Sequence, residues 1–130
     1  MKIVYDGEGA VFGRLASVVA KDLLKGEEVD IINCEKIIVS GDKKLLAEKI
    51  LQRREMGSGG SMKGPKYPRV ADKLVKRMIR GMLPRDRAKG RDAFRNLKVH
   101  IGGENEKAIK SDHRKPMKFS SVEEIVRLLK

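Results

Sequence analysis

The sequence predicts an α/β domain, and three observations carry that reading. Short apolar runs rich in β-branched residues alternate along the chain with stretches of helical periodicity. A chain of 130 residues is long enough for one hydrophobic core but not two, so residues 1–130 are expected to form a single domain. With 40% hydrophobic and 37% charged residues, the composition is that of a folded chain, neither membrane-spanning nor wholly disordered.

Each element follows in turn. Ile3, Val4 and Tyr5 read as a buried strand that Asp6 and Gly7 end. From Gly13 the period changes: Leu15, Val18, Val19 and Leu23 fall at helical offsets, and Gly26 supplies a left-handed stop. Val29, Ile31 and Ile32, then Ile37, Ile38 and Val39, flank Asn33 to Lys36 as two strands or one bent strand, closed by Ser40 and Gly41. Asp42 can cap a helix that turns Leu46, Ile50 and Leu51 inward, with Gly57 as its terminator.

Residues 57–69 hold glycines, prolines and no periodicity, which predicts a loop that is mobile when unbound. A helix is expected from about Val70 to Leu83. Val70, Leu74, Val75, Met78, Ile79 and Met82 form its wide apolar face, and Pro84 ends it. Residues 85–96 carry cations around Gly90 and have no assigned element. Leu97, Val99 and Ile101 then alternate as a strand before Gly102 and Gly103. A last helix is expected near Ser120, with Glu123 completing a capping box and Val122, Ile125, Val126 and Leu129 inward.

The charge is local. Residues 1–50 carry a net −1, residues 51–100 a net +11 and residues 101–130 a net +2, within a total of +12. A frame of near-zero charge joined to a strongly positive middle is the pattern of a protein with one face on a polyanion. Other classes fall away. A lone Cys34 with only His100 and His113 makes neither a disulfide framework nor a zinc site, and no metal or cofactor is expected. No apolar run exceeds three residues and the start lacks a leader pattern, so a cytoplasmic chain without membrane contact is expected.

Catalytic motifs are weak. Gly7, Gly9 and Gly13 between a strand and a helix resemble a dinucleotide-binding turn, but Phe12 stands where the third glycine belongs and Glu8 would oppose a pyrophosphate. A small nucleotide-binding domain is therefore the enzyme-like alternative, and a plain strand-to-helix turn explains the glycines. Gly57 to Lys63 lacks the Gly-Lys-Ser/Thr order of a phosphate-binding Walker loop. Cys34 reads as a buried structural thiol, His100 as a residue on one strand face and His113 as solvated. No nucleophile is paired with a base, and the chain is not expected to be an enzyme.

The basic section is more informative. Lys73, Lys76, Arg77 and Arg80 share one helix face opposite the apolar one, and Arg85, Arg87, Lys89, Arg91 and Arg95 follow with only Asp86 and Asp92 against them. The preceding loop adds Lys63, Lys66 and Arg69, with Tyr67 available to stack on a base. Arg14, at a helix start, is a further candidate contact. With aromatics at only 4%, stacking on single strands is not the main mode. A folded RNA of irregular phosphate geometry fits the mixture of helix face and loop; a duplex-DNA-binding protein is the other alternative, and the absence of groove-reading motifs counts against it.

Several motifs resemble the large-subunit ribosomal protein thirteen family, in its archaeal branch. They are Gly13-Arg14-Leu15-Ala16-Ser17, the stretch from Val29 to Asp42 with Ile32-Asn33-Cys34-Glu35-Lys36, Gly59-Gly60 before Lys63, and Arg80-Gly81-Met82-Leu83-Pro84 followed by Gly90-Arg91 and Leu97-Lys98-Val99. They cover residues 3–103 in order; Cys34 stands where the family usually has Ala. The resemblance implies a three-layer α/β/α fold with a small, mostly parallel sheet of about four strands, extended by a basic loop and helix. It also implies a structural role in the large ribosomal subunit, binding rRNA beside neighbouring ribosomal proteins early in assembly. Parallel neighbours need a crossover of about a dozen residues, whereas only Asn33 to Lys36 separates the second and third strand runs, so the implied sheet and that strand division conflict.

Overall fold

The computed structural model describes residues 2–57, 60, 64–111 and 113–129. Its main sheet is four-stranded and parallel throughout. Strand β1 (Lys2–Asp6) lies inside it, paired with β2 (Glu28–Ile32) on one side and β5 (Ile109–Lys110) on the other, while β4 (Leu97–Val99) extends the sheet beyond β2. This is the small parallel sheet of an α/β fold. Neither β5 nor β6 (Phe119–Ser121) has a sequence signature, being two and three residues long in polar surroundings.

Side-chain alternation gives the sheet its inner face. Ile3, Tyr5, Val29, Ile31, Leu97 and Val99 all point to one side and pack there on helix α1 (Phe12–Leu24) and on α3 (Ala71–Arg80) and α4 (Ala88–Arg95). The inward face of α1 differs from the expected one: Ala16 and Ala20 are buried beside Leu15, Val19 and Leu23, while Val18 is 42% exposed. Small residues let the helix lie close to the sheet, which a periodicity of large apolar residues cannot show. The end of α1 agrees with the sequence. Gly26 at φ 92° donates to Leu23 O and Glu27 to Asp22 O, the paired bonds of a left-handed helix stop.

The conflict over the strand division disappears because the two runs belong to different sheets. After β2 the chain turns at Asn33 (φ 54°) through a short 3₁₀ segment, Cys34–Lys36. It then leaves the main sheet as β3 (Ile38–Ser40), which pairs antiparallel with β6 and touches Val11 through a parallel bridge. Asn33 holds the turn by donating through Nδ2 to Asp6 Oδ1 at 3.1 Å and to Gly103 O at 3.2 Å.

A second core lies beneath α2 (Lys43–Glu55), where Ala47 meets Leu74 of α3 and Ile125 and Leu129 of α5 (Val122–Leu129). Asp42 caps α2 as expected, accepting from Lys44 N at 3.3 Å. The cap of α5 is Ser121, whose Oγ accepts from Glu124 N; Ser120 is instead buried in β6 and donates to Gly41 O at 3.0 Å. Two further expectations need correction. Helix α3 runs from Ala71 to Arg80 rather than from Val70 to Leu83, so Val70 and Met82 lie outside it at either end, about half exposed, and Ile101 lies beyond β4, 55% exposed.

Candidate nucleic-acid interface

The basic surface is built by a tight corner between α3 and α4. Helix α3 is clamped from two sides: Ala71, Val75 and Ile79 enter the main core and Leu74 the second one. The arc left over carries Lys73, Lys76, Arg77 and Arg80, as its spacing predicts. Beyond Gly81 the chain keeps turning, with Met82 N donating to Ile79 O and Leu83 N to Arg80 O, and Leu83 is buried. Arg87 N then donates to Pro84 O, and α4 begins. A Cβ on Gly90 would stand 2.0 Å from Pro84 O, so only glycine lets α4 lie against the corner. Residues 88–95 escape sequence analysis because their sequence is mostly charged, with a glycine inside the helix.

Two aromatic rings organise the cations. The Phe94 ring has Lys76 Nζ 5.0 Å and the Arg85 guanidinium 5.7 Å from its centroid, which ties α3, the corner and α4 together. The half-buried Tyr67 ring has the guanidinium of Arg77 at 4.8 Å and that of Arg53 at 5.8 Å, and Arg53 Nη1 donates to Tyr67 Oη at 3.4 Å. Tyr67 therefore packs between α2 and α3 and orders their arginines; it does not stand as a free stacking platform. Arg53 was not among the sequence candidates, because its place beside Arg77 is fixed only by tertiary packing.

The electrostatics show crowding. The pKa of Arg80 is lowered, first by burial and then by the neighbouring Arg77 and Arg85. Arg91 Nη1 donates to Arg85 O at 3.0 Å, which fixes it beside this group, and Arg95 sits 3.6 Å from Asp92. Lys73, Arg87 and Lys89 are exposed, as are Lys66 and Arg69 ahead of α3. Lys63 lies outside the described residues. Arg14 is exposed on α1 and lines a different groove, with Arg114 and Lys115.

The other singled-out residues serve the fold. Cys34 is fully buried and its thiol is pushed up to about 12 by burial, ahead of the nearby Glu35 and Asp72, as expected of a structural thiol. His100 Nε2 lies 3.8 Å from Asp30 Oδ2, which Lys2 Nζ also approaches at 3.0 Å. His113 is half-buried rather than solvated, and its Nδ1 has no hydrogen-bond partner among the described residues. In the glycine turn, Gly7 N donates to Ile32 O and Glu8 N to Asp6 Oδ1, while a Cβ on Gly7 would meet Ile37 Cγ1 at 2.7 Å. These amides are spent internally, and the adjoining cleft of about 850 Å³ is lined by five carboxylates, Asp6, Glu8, Glu35, Glu104 and Glu106, against two cations, Lys36 and Lys110, a net negative surrounding that disfavours a pyrophosphate.

Comparison with known proteins points one way. The family model described as Ribosomal protein L13 matches residues 1–106. The chain is 51% identical over 104 residues to the large ribosomal subunit protein uL13 of Methanosphaera stadtmanae, covering 78% of this chain and 73% of that one. It is 50% identical to the uL13 of Methanopyrus kandleri, covering 76% of this chain and 61% of the relative, and 46% identical to that of Methanococcus maripaludis, covering 77% and 74%.

Proposed function

The chain belongs to the ribosomal protein L13 family, and from that premise we propose that its α3–α4 surface binds folded large-subunit rRNA and stabilises it early in assembly. As a member of that family it is a structural constituent of the large ribosomal subunit in the cytoplasm, and not an enzyme. Among the described residues, no helix is long and apolar enough to cross a membrane.

The single observation that carries the RNA reading is the gathering of like charges at one corner, Lys76 and Arg85 on the Phe94 ring and Arg53 and Arg77 on the Tyr67 ring, a mutual repulsion also felt in the lowered pKa of Arg80. A folded chain tolerates such repulsion when an external anion relieves it. Phosphates of an irregular RNA supply that anion from several directions, and the ring-held cations are already ordered to meet them. Lys66 and Arg69 extend the surface towards the preceding loop, where Lys63 completes the proposed contact set, and Lys73, Arg87, Lys89, Arg91 and Arg95 widen it.

A filter-binding titration against transcribed large-subunit rRNA tests this. With about six phosphates engaged, affinity is expected to fall on the order of a thousandfold between low and moderate salt, and neutralising Arg77, Arg80 and Arg91 together to glutamine removes about three ions from the salt slope. A flat salt response, or equally effective competition by duplex DNA of the same length, overturns the reading.

A further inference from the structure

A second set of cations converges far from the basic section in sequence. Val11, Arg14, Ser40, Arg114, Lys115 and Met117 line a groove of about 340 Å³, with Pro116 beside them. The fold brings these residues together through the small β3–β6 sheet. Ile38 N donates to Ala10 O at 2.8 Å, which fixes the start of α1 against β3. Gly41 N donates to Lys118 O at 3.0 Å, and Ser40 pairs with Phe119, which fixes the segment ending in β6 on the other side. Arg14 and Arg114, a hundred positions apart, thus line one channel.

Among the described residues nothing compensates the charge in this groove: its lining contains three cations and no carboxylate, and neither the Arg14 nor the Arg114 side chain makes an ion pair or hydrogen bond. Lys115 is oriented, with Nζ 5.7 Å from the Phe119 ring centroid. Ser40 adds a hydroxyl and Val11, Pro116 and Met117 an apolar wall. A strip of cations with a hydroxyl and an apolar side matches a phosphodiester backbone, whose charges repeat while its sugars are less polar.

We propose that this groove is a second seat for an RNA backbone, occupied by a different stretch of the large-subunit rRNA from the one at the α3–α4 corner. This rests on the RNA-binding reading of the chain but uses none of the corner's residues. The protein then acts as a clasp, holding two lengths of one folded RNA against a single rigid body, and the contribution of residues 114–117 is to complete a site that Arg14 alone does not form.

The test is hydroxyl-radical footprinting and salt titration of the full chain on transcribed large-subunit rRNA. The triple variant R14Q/R114Q/K115Q alters exposed side chains, so its thermal midpoint is expected to stay at the parent value. It is expected to lose one discrete protected stretch and about two to three ions from the salt slope. The variant R14K/R114K, which keeps the charge, is expected to restore both. The corner variant R77Q/R80Q/R91Q is expected to lose a different stretch. An unchanged footprint and slope in R14Q/R114Q/K115Q overturns the second seat whatever the corner variant does. Loss of the same stretch in both triple variants also overturns it, because the two surfaces would then share one RNA segment. A normal footprint in the corner variant alone leaves the groove standing and removes the corner reading.

Discussion

At the carboxyl ends of β1 and β2 the charged groups are mostly acidic and the two carboxylates at the turn itself, Asp6 and Glu35, are spent on internal bonds, whereas around the α3–α4 corner they are basic and mostly left for something outside. Asp6, 7% exposed, accepts from both Glu8 N and Asn33 Nδ2, and Glu35 accepts from Gly102 N at 3.0 Å. These carboxylates fasten backbone turns. The corner cations have fewer such duties: Arg91 braces Arg85 O and Arg95 faces Asp92, while Arg77, Arg80 and Arg85 press on one another. The difference teaches that the sign of a cluster matters less than whether its hydrogen-bonding capacity is already consumed. A consumed cluster is architecture, and an unconsumed one under repulsion is an interface.

The largest expected effect comes from removing the feature that makes the corner possible. Gly90→Ala places a methyl group 2.0 Å from Pro84 O, and is expected to destabilise the fold by about 3 kcal/mol in urea unfolding and to lower rRNA affinity at temperatures where it stays folded. Unchanged affinity would break the comparison, since the cations would not need their present arrangement. Asp6→Ala is the counterpart on the acidic side. It strips two donors of their acceptor and is expected to cost about 2 kcal/mol of stability while leaving the salt slope of RNA binding unchanged. A changed slope would mean that the acidic end also meets the RNA.

Smaller effects sharpen the contrast. Tyr67→Leu keeps an apolar filler but removes the ring shared by Arg53 and Arg77, and about 1 kcal/mol of binding, roughly fivefold in Kd, is expected to go with it. The last effect concerns pH and shows only in alkaline solution. The Cys34 thiol is raised from an ordinary 9 to about 12, and Tyr5, buried and donating to the Asp22 carboxylate, is raised above its ordinary 10. Both favour the neutral form more strongly in the folded state. Their contribution is therefore complete below pH 9 and is lost as pH climbs from there towards 12. Chemical unfolding midpoints measured across that window are expected to fall, and to fall less in C34A/Y5F. Below pH 9, native Cys34 is expected to resist a thiol reagent until the protein unfolds.

Much of this organisation is legible in the sequence because it rests on periodicity and local chemistry. The spacing of Lys73, Lys76, Arg77 and Arg80, the caps at Gly26 and Asp42, and the buried Cys34 all follow from neighbours a few residues apart. The parts that escape depend on distant partners. Helix α4 is held by Pro84 and Phe94 rather than by propensity, Ala16 and Ala20 are chosen for closeness to a sheet, and β5 and β6 exist only because β1 and β3 offer them edges. Arg53 joins the interface through Tyr67, and Arg14 leaves it for Arg114, for the same reason.

The second core carries a consequence for synthesis. Leu74 and Ala47 are covered by Ile125 and Leu129 of the last helix, beyond the 106 residues that the family model matches. While the chain is being translated, α2 and α3 can form, but their shared apolar side stays wet until α5 has been added. A growing polypeptide with a bare greasy flank beside a cationic corner has reason to be shielded during that interval.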